Sequence, residues 1–170
     1  MLQKLIFDNY HKDFPLFVVK APNQTERGLH THDFTELVVV LDGAGVHYNE
    51  KESTAISGGD CFVVNGTHGY LGKPELNIIN ILYVPERLPL PWDAARKLAG
   101  YNAFFVLEPK LRGNHDFQNR LHLSPPELAT VSKMIDRLET ELLSKNSGFE
   151  IMALAAFIDI IGYLSRVYER

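Results

Sequence analysis

The chain has 170 residues, of which 45% are apolar and 22% are charged, as in an ordinary single globular domain. Its formal net charge of −4 at pH 7 argues against direct contact with nucleic acid, because phosphate binding requires a clustered excess of lysine and arginine. The single cysteine, Cys61, excludes an internal disulfide and a thiolate metal cluster.

The N-terminal segment, residues 1–13, mixes charged and apolar side chains. It lacks the continuous apolar stretch and the small-residue cleavage site of a secretory signal. Along the whole chain, the apolar runs are interrupted before they reach the length that spans a bilayer. These features predict a soluble, cytoplasmic protein that does not contact a membrane.

Residues 14–84 consist of short β-type segments separated by turns. Glycine-rich turns at 42–45, 57–59 and 65–69 tolerate positive φ. Several strands at this spacing predict a β-sandwich or barrel. The segment 30–41 is interpreted as one continuous strand. The β-type segments are "FPLFVVK", "FTELVVVL", "AGVHYNE", "DCFVV" and "LNIINILYV".

The region after the barrel strands is more varied. A proline-rich passage leads into a predicted short helix that begins at Asp93 as N-cap and ends at Gly100. The segment "YNAFFVLEP", residues 101–109, then reads as one more strand. The polar segment "KLRGNHDFQNR", residues 110–120, is predicted to be a surface loop.

Two helices are predicted from Ser124 onward. A serine, two prolines and a glutamate three residues after the serine form a helix start. Apolar residues then recur at helical spacing along one side, and the next segment, "FEIMALAAFIDIIGYLSRVY", is apolar nearly all round. We interpret the stripe, together with the apolar helix from Ile151 to Leu164, as a homodimer interface. The alternative is that this second helix lies between the barrel and the preceding helix of its own chain. The stripe consists of Leu128, Val131, Ile135, Leu138 and Leu142.

Polar residues cluster on one face of the segment 30–41. Alternate residues of a strand share a face, so His30, His32 and Glu36 point the same way, and His68 follows a second strand. Imidazole and carboxylate ligands suit Fe, Mn, Ni or Zn. Leu37 on the opposite face is apolar, which indicates that the strand is covered on both sides beyond the polar cluster.

The segments "HTHDFTELVVVLDGAG" and "GGDCFVVNGTH" resemble the two motifs of cupin barrels, and in particular the sensor domains of AraC-type transcription regulators. The segments "NIINILYVPERLPL" and "GYNAFFVLEPKLR" are similar to the L-rhamnose operon regulators of that family. The second motif departs from the usual pattern at Asn65, where a proline is common, and His68 follows the strand earlier than usual.

The resemblance implies a mainly β fold, a cupin double-stranded β-helix followed by two antiparallel C-terminal helices. Residues 1–123 would form the effector-binding barrel with an N-terminal arm, and residues 124–170 the dimerisation helices. Residues 1–13 would be the arm that contributes to switching. DNA would be read by a separate helix-turn-helix domain, so this chain would be the sensor part of a longer regulator.

Three interpretations of the polar cluster remain open. The first is a pocket for a small sugar such as L-rhamnose, whose hydroxyls require paired donors and acceptors. The second is a metal-dependent enzyme, a dioxygenase or sugar isomerase, with His30, His32, Glu36 and His68 as ligands. The third is a buried structural network. Further candidates for ligand contact are His47, Tyr70, Tyr83 and Trp92.

Overall fold

The computed structural model describes residues 2–10, 13–72, 75–111 and 120–170. In these residues two β-sheets are followed by helices. The predicted surface loop 110–120 falls largely outside the described residues. The strands are β1 (Gln3–Leu5), β2 (Leu16–Ala21), β3 (Arg27–His32), β4 (Thr35–Asp42), β5 (Ala44–Tyr48), β6 (Ser53–Ser57), β7 (Asp60–Val64), β8 (His68–Gly72), β9 (Asn77–Tyr83) and β10 (Leu121–His122). The α-helices are α1 (Phe7–Tyr10), α2 (Trp92–Ala95), α3 (Ala99–Tyr101), α4 (Glu108–Leu111), α5 (Pro125–Ser144) and α6 (Phe149–Tyr168).

Each sheet has five strands. The first has the order β1-β3-β8-β5-β6, and the second has the order β10-β7-β4-β9-β2. The pairing of β1 with β3 is parallel, and the other pairings are antiparallel. Helices α5 and α6 pack against each other beside the second sheet, which confirms the predicted cupin-like barrel with two C-terminal helices.

The second sheet is buried on both faces. On β4, Val38 and Val40 face Phe62 and Tyr70 in an apolar core between the two sheets. The alternate residue Leu37 instead joins the core formed with the helices. The sequence therefore predicted correctly that this strand is covered on both sides. Alternate side chains of β4 point into the barrel interior and toward the helices.

The predicted continuous strand 30–41 is divided in two. The chain bends at Asp33 and Phe34, so β3 belongs to the first sheet and β4 to the second. A strand that changes sheets at a bend closes the barrel at this corner.

Strand β2 lies between the barrel interior and helix α5. Val18 packs in the helix-facing core, whereas Val19 lines a cavity on the other side. The next residue, Lys20, places its Nζ 3.0 Å from Asp136 Oδ1 and 2.5 Å from Glu139 Oε2 on α5.

Helix α5 begins as the sequence predicts. The backbone N–H and hydroxyl of Ser124 both donate to the Glu127 carboxylate, at 2.8 and 2.6 Å. The bond from the Ser124 N–H satisfies a backbone donor that the start of the helix leaves open.

The apolar stripe of α5 is part of the core of the single chain. Because these side chains already contact α6 and the second sheet, the prediction that the stripe forms a dimer interface is wrong. The first of the five stripe residues is partly buried against the core, and the other four are buried in it. They are Leu128, Val131, Ile135, Leu138 and Leu142.

Helix α6 is long and apolar enough to cross a membrane by length and composition alone, which corrects the expectation that the chain holds no such segment. In the folded chain, Phe157, Ile160 and Leu164 are buried against α5 and the sheet. Because one face is covered by the chain itself, we interpret α6 as a core helix.

The segment 92–111 is helical over most of its length, and the prediction of a strand at 101–109 is wrong. Helix α3 continues into a π-helical stretch, Asn102–Leu107, and then into α4. Phe104 is fully buried, with its ring centroid 5.4 Å from that of Tyr168 on α6. Tertiary packing of aromatic side chains therefore overrides their preference for strands.

The preceding helix also differs from its predicted bounds. Pro91 rather than Asp93 is the N-cap of α2, and Gly100 lies within α3 instead of ending a helix.

Candidate functional site

A cavity of about 190 Å³ lies between the two sheets beside the start of β4. This volume is below the roughly 300–1,000 Å³ range of pockets for drug-sized molecules, so the cavity suits a smaller ligand. Five lining residues are apolar, and three are polar. The lining consists of Leu5, Phe7, Val19, Arg27, Phe34, Glu36, Asn80 and Leu82.

Three histidines lie next to Glu36, which lines the cavity, although they are not lining residues themselves. His68 Nε2 lies 3.6 Å from Glu36 Oε2, and His32 Nε2 lies 4.0 Å from Glu36 Oε1. The ring centroids of His30 and His68 are 4.5 Å apart. All four side chains are buried.

Strand register explains this convergence. His30 on β3 is directly opposite His68 on β8, so the two rings stand on the same face of the first sheet. Glu36 on β4 is opposite Leu82, and both line the cavity from the second sheet. The early position of His68 in its motif therefore does not remove it from the cluster.

His47 and Tyr70 continue the cluster deeper into the barrel. Their ring centroids lie 5.4 Å each from that of His68, and 5.2 Å from each other. Both side chains are buried. The sequence prediction thus brought together residues that are neighbours in the structure.

Tyr83 and Trp92 do not lie at the cavity, and their prediction as ligand-contacting residues is wrong. Tyr83 faces the helices, with its ring centroid 4.9 Å from that of Phe157. Trp92 packs beside the same core and donates its Nε1–H to the Leu88 carbonyl at 3.1 Å. The two rings therefore stabilise the interface between barrel and helices.

Backbone contacts fix the orientation of two histidines. His30 Nδ1 donates to the Gly28 carbonyl at 3.0 Å, and His32 Nδ1 donates to the Phe34 carbonyl at 2.5 Å. In the neutral rings the Nε2 atoms are then acceptors. This arrangement leaves their lone pairs available to a hydroxyl donor or to a cation.

Burial determines the ionisation of the cluster. It raises the pKa of Glu36 from 4.5 to about 7, and lowers the pKa of His32 from 6.5 to about 4. Burial also lowers the pKa of His30 and, more strongly, that of His68. Near neutral pH the imidazoles are therefore uncharged, and Glu36 is close to its titration midpoint.

Several buried polar atoms, at the cavity and in the histidine cluster beside Glu36, have no hydrogen-bond partner within the described residues. Because an unsatisfied buried polar atom costs about 1–3 kcal/mol, a bound molecule that pairs with these atoms would be stabilised there. The atoms are His30 Nε2, His32 Nε2, Glu36 Oε2, both ring nitrogens of His68, and Asn80 Oδ1.

Three of the four predicted metal ligands form a set that fits a metal ion. One ligand atom from each of His30, Glu36 and His68 lies within 4.8 Å of the others. His32 does not belong to this set. Two imidazoles and one carboxylate are the ligand types that Fe(II), Mn(II), Ni(II) and Zn(II) accept.

The N-terminal residues form part of the cavity wall. Strand β1 pairs in parallel with β3, and Leu5 and Phe7 line the cavity. The Phe7 N–H donates to Asp33 Oδ1 at 2.8 Å, and the ring of Phe7 meets that of Phe34 edge-on, with centroids 5.7 Å apart. This segment must move for a molecule to pass through that side of the cavity.

Sequence reasoning missed two polar residues of the cavity. Asn80 lies within the apolar segment 76–84, and a polar residue on the inward parity of a buried strand is a signal that could have identified it. Arg27 has the outward parity of β3, but the register of the β3–β8 pair shifts between Arg27 and His30. A bulge of this kind redirects a side chain, and the pattern of residue types does not reveal it.

We expect Glu36→Gln to change how stability depends on pH. The raised pKa of Glu36 in the folded state means that its contribution is complete below pH 4.5 and is lost as pH rises through about 7. As pH is raised from 5 to 8.5, the free energy of unfolding of the variant should therefore rise by up to about 3 kcal/mol relative to that of the wild type. Urea unfolding with EDTA present measures this, and equal differences at both pH values would contradict it.

Comparisons with known proteins identify a family for this chain. The family of AraC-like ligand binding domains matches residues 17–156. The HTH-type transcriptional activator RhaR of Enterobacter sp. is 31% identical over 139 residues, which are 81% of this chain and 45% of that protein. RhaR of Mannheimia succiniciproducens is 25% identical over 161 residues, which are 94% of this chain and 53% of that protein. The chain thus spans about half the length of these relatives.

Solved structures with a likeness include an RmlC-like cupin protein from Desulfovibrio desulfuricans, with a TM-score of 0.38 and 18% identity over 43% of this chain and 76% of that one. A cupin-2 domain protein from Shewanella frigidimarina has a TM-score of 0.35 and 22% identity over 41% of this chain and 69% of that one. The family match covers most of the chain and includes β2 to β10, all of α5 and the first part of α6. The chain therefore belongs to the family of AraC-like ligand-binding domains.

Proposed function

We propose that this ligand-binding domain senses a small sugar, such as L-rhamnose, in the cavity between its two sheets. The observation that carries the proposal is that two residues lining this cavity, Glu36 and Asn80, each have a buried oxygen with no hydrogen-bond partner within the described residues. A sugar offers several hydroxyls, each of which donates and accepts, so one molecule in the cavity can pair with both Glu36 and Asn80.

The proposed role in the cell is transcriptional regulation in the cytoplasm. Residues 1–123 would bind the effector and residues 124–170 would mediate association, while a separate part of the regulator would contact DNA. The relatives support this role, because they are named as transcriptional activators and are about twice as long as this chain.

The proposed mechanism is a shift between two arrangements of the domain. An effector changes this equilibrium only through its different affinities for the two states. Leu5 and Phe7 line the cavity and are held to β3 and Asp33, so an occupied cavity would favour the closed position of residues 3–10. The closed segment excludes water from the polar atoms that hold the effector.

We also propose that two copies associate through the outer face of α5 and α6. The stripe that the sequence singled out is buried, but Leu143 and Ile151 are 67% and 71% exposed, and Met152 is 40% exposed. Exposed apolar side chains grouped at the α5–α6 turn are the kind of surface that a second copy would cover.

The sugar proposal predicts a ligand-dependent rise in stability. A ligand that binds only the folded state stabilises it by about 2.7 kcal/mol at a hundredfold excess over its Kd. A panel of neutral sugars and sugar acids is tested by thermal unfolding with EDTA present, and we expect at least one compound to raise Tm.

The matched variants are Glu36→Gln at the cavity and Glu150→Gln on the exposed first turn of α6. We expect the first to reduce the ligand-dependent shift in Tm and the second to leave it unchanged. A panel in which no compound raises Tm would contradict the proposed function.

A second candidate function is metal binding, favoured by the spacing of His30, Glu36 and His68. A bound metal would supply a Lewis acid that polarises an oxygen of the substrate. These three side chains would hold the ion, and their buried setting would exclude water from it. Metal analysis of the purified protein decides between the candidates: a stoichiometric ion that EDTA removes with a fall in Tm would favour this one.

A further inference from the structure

Arg27 places a positive charge at the cavity. It is directly opposite Tyr70 in the β3–β8 pair, on the inner side of the first sheet, but Arg27 itself is exposed, so it lies at the solvent-accessible mouth of the cavity. Its side chain lines the cavity. The Arg27 carbonyl accepts a hydrogen bond from the Tyr48 hydroxyl at 3.2 Å, which helps to fix the backbone from which the side chain projects.

The guanidinium has no anionic partner within the described residues. The other arginines for which ion pairs are seen there, Arg87, Arg96, Arg120 and Arg170, each lie within 3.2 Å of a carboxylate oxygen. Arg27 forms no such pair. A guanidinium is always charged at physiological pH and presents a planar set of donors that matches a carboxylate in two-point contact.

Glu36 is the one carboxylate among the lining residues, and burial raises its pKa more than the positive charge of Arg27 lowers it. Asn80 is uncharged and 6% exposed, and its Oδ1 has no hydrogen-bond partner. The closest polar neighbours of Glu36 are His68 and His32, while its carboxylate is not within ion-pair distance of Arg27. The cavity therefore combines a cationic group that forms no ion pair within the described residues with separate acceptors for hydroxyls.

We propose that the effector carries a carboxylate that pairs with Arg27, so that it is a small polyhydroxy acid such as a uronic or aldonic acid. This inference rests on the proposed function and specifies the chemical class of the effector. The carboxylate lies at Arg27, hydroxyls donate to Asn80 Oδ1 and Glu36, and the carbon skeleton packs against apolar residues such as Phe34. The volume of about 190 Å³ restricts the effector to a small molecule of this class.

The test compares matched acids and neutral sugars at constant ionic strength with EDTA present. D-galacturonate is paired with D-galactose, D-mannuronate with D-mannose, and L-rhamnonate with L-rhamnose, and Kd is measured by calorimetry. We expect at least one acid to bind tenfold or more tightly than its neutral partner. Binding of one or more neutral sugars, with no acid in the three pairs preferred over its neutral partner, would overturn the inference and leave the proposed function intact.

Variants separate the charge of Arg27 from its contribution to packing. Arg27→Gln should lower the affinity for the acid at least tenfold and change the affinity for the neutral partner little. Arg27→Lys should retain part of the preference for the acid over the neutral sugar. Arg96→Gln, on the exposed surface of the segment after α2, is the control and should leave both affinities unchanged. Equal losses for acid and neutral sugar in Arg27→Gln would overturn the inference. If no compound binds, the proposed function and the inference both fail.

Discussion

Ile135→Asp is expected to abolish folding rather than to separate a dimer. Ile135 is fully buried between α5, α6 and the second sheet of the single chain. The substitution removes its apolar contacts and places a carboxylate where the surroundings are apolar. The expected cost is at least about 4 kcal/mol, a large part of the roughly 5–15 kcal/mol that holds a domain together. Far-UV circular dichroism and soluble yield measure the loss.

Ile151→Asp is the matched control on the next helix. Ile151 is exposed in the single chain, so this variant should fold with nearly unchanged Tm. If two copies associate through the outer face of α5 and α6, sedimentation should show that Ile151→Asp weakens the dimer. A folded, monomeric Ile135→Asp protein would contradict the assignment of the α5 stripe to the core.

Gly100→Ala is expected to disrupt the contact between α3 and α6. A Cβ atom at Gly100 would lie closer than 3.0 Å to the backbone of Ser165, and backbone cannot rotate away as a side chain can. The Gly100 N–H also donates to Glu169 Oε1 at 2.7 Å, a bond that requires this close approach. We expect a loss of about 3 kcal/mol, measured by urea unfolding.

The control for this prediction is Gly162→Ala within α6. A Cβ atom at Gly162 would meet nothing within 4 Å. Alanine is favoured over glycine inside a helix by about 1 kcal/mol, so this variant should be slightly more stable than the wild type. A Gly100→Ala protein as stable as Gly162→Ala would show that α3 and α6 are farther apart than described.

The parts of the fold that depend on local pattern could be predicted from the sequence. The start of α5 at Ser124 follows from a serine and a glutamate at capping-box spacing, and the covered β4 strand follows from apolar residues on both parities. The helical segment around Phe104 could not be predicted in this way. Its conformation depends on aromatic contacts with α6, more than 60 residues later in the chain, as the Phe104–Tyr168 pair illustrates.

The candidate site could likewise be predicted from the sequence only where it depends on local pattern. His30, His32 and Glu36 share a parity, and they converge although the bend at Asp33 places them in different sheets. Parity could also have excluded Tyr83, which alternates with the inward-facing Asn80 and Leu82 and so points to the helices. Arg27 depends on a register shift between paired strands, which is a property of two segments and not of one.

Strand β2 gives the ligand cavity and the helix pair a common wall. Val19 touches the cavity, and the adjacent Lys20 is anchored to α5 through Asp136 and Glu139. A bound molecule that displaces Val19 would also displace the adjacent Lys20 and so alter its contacts with Asp136 and Glu139, without any intermediate side chain. Because such coupling is reciprocal, a macromolecule that binds α5 would change the affinity of the domain for a ligand in the cavity.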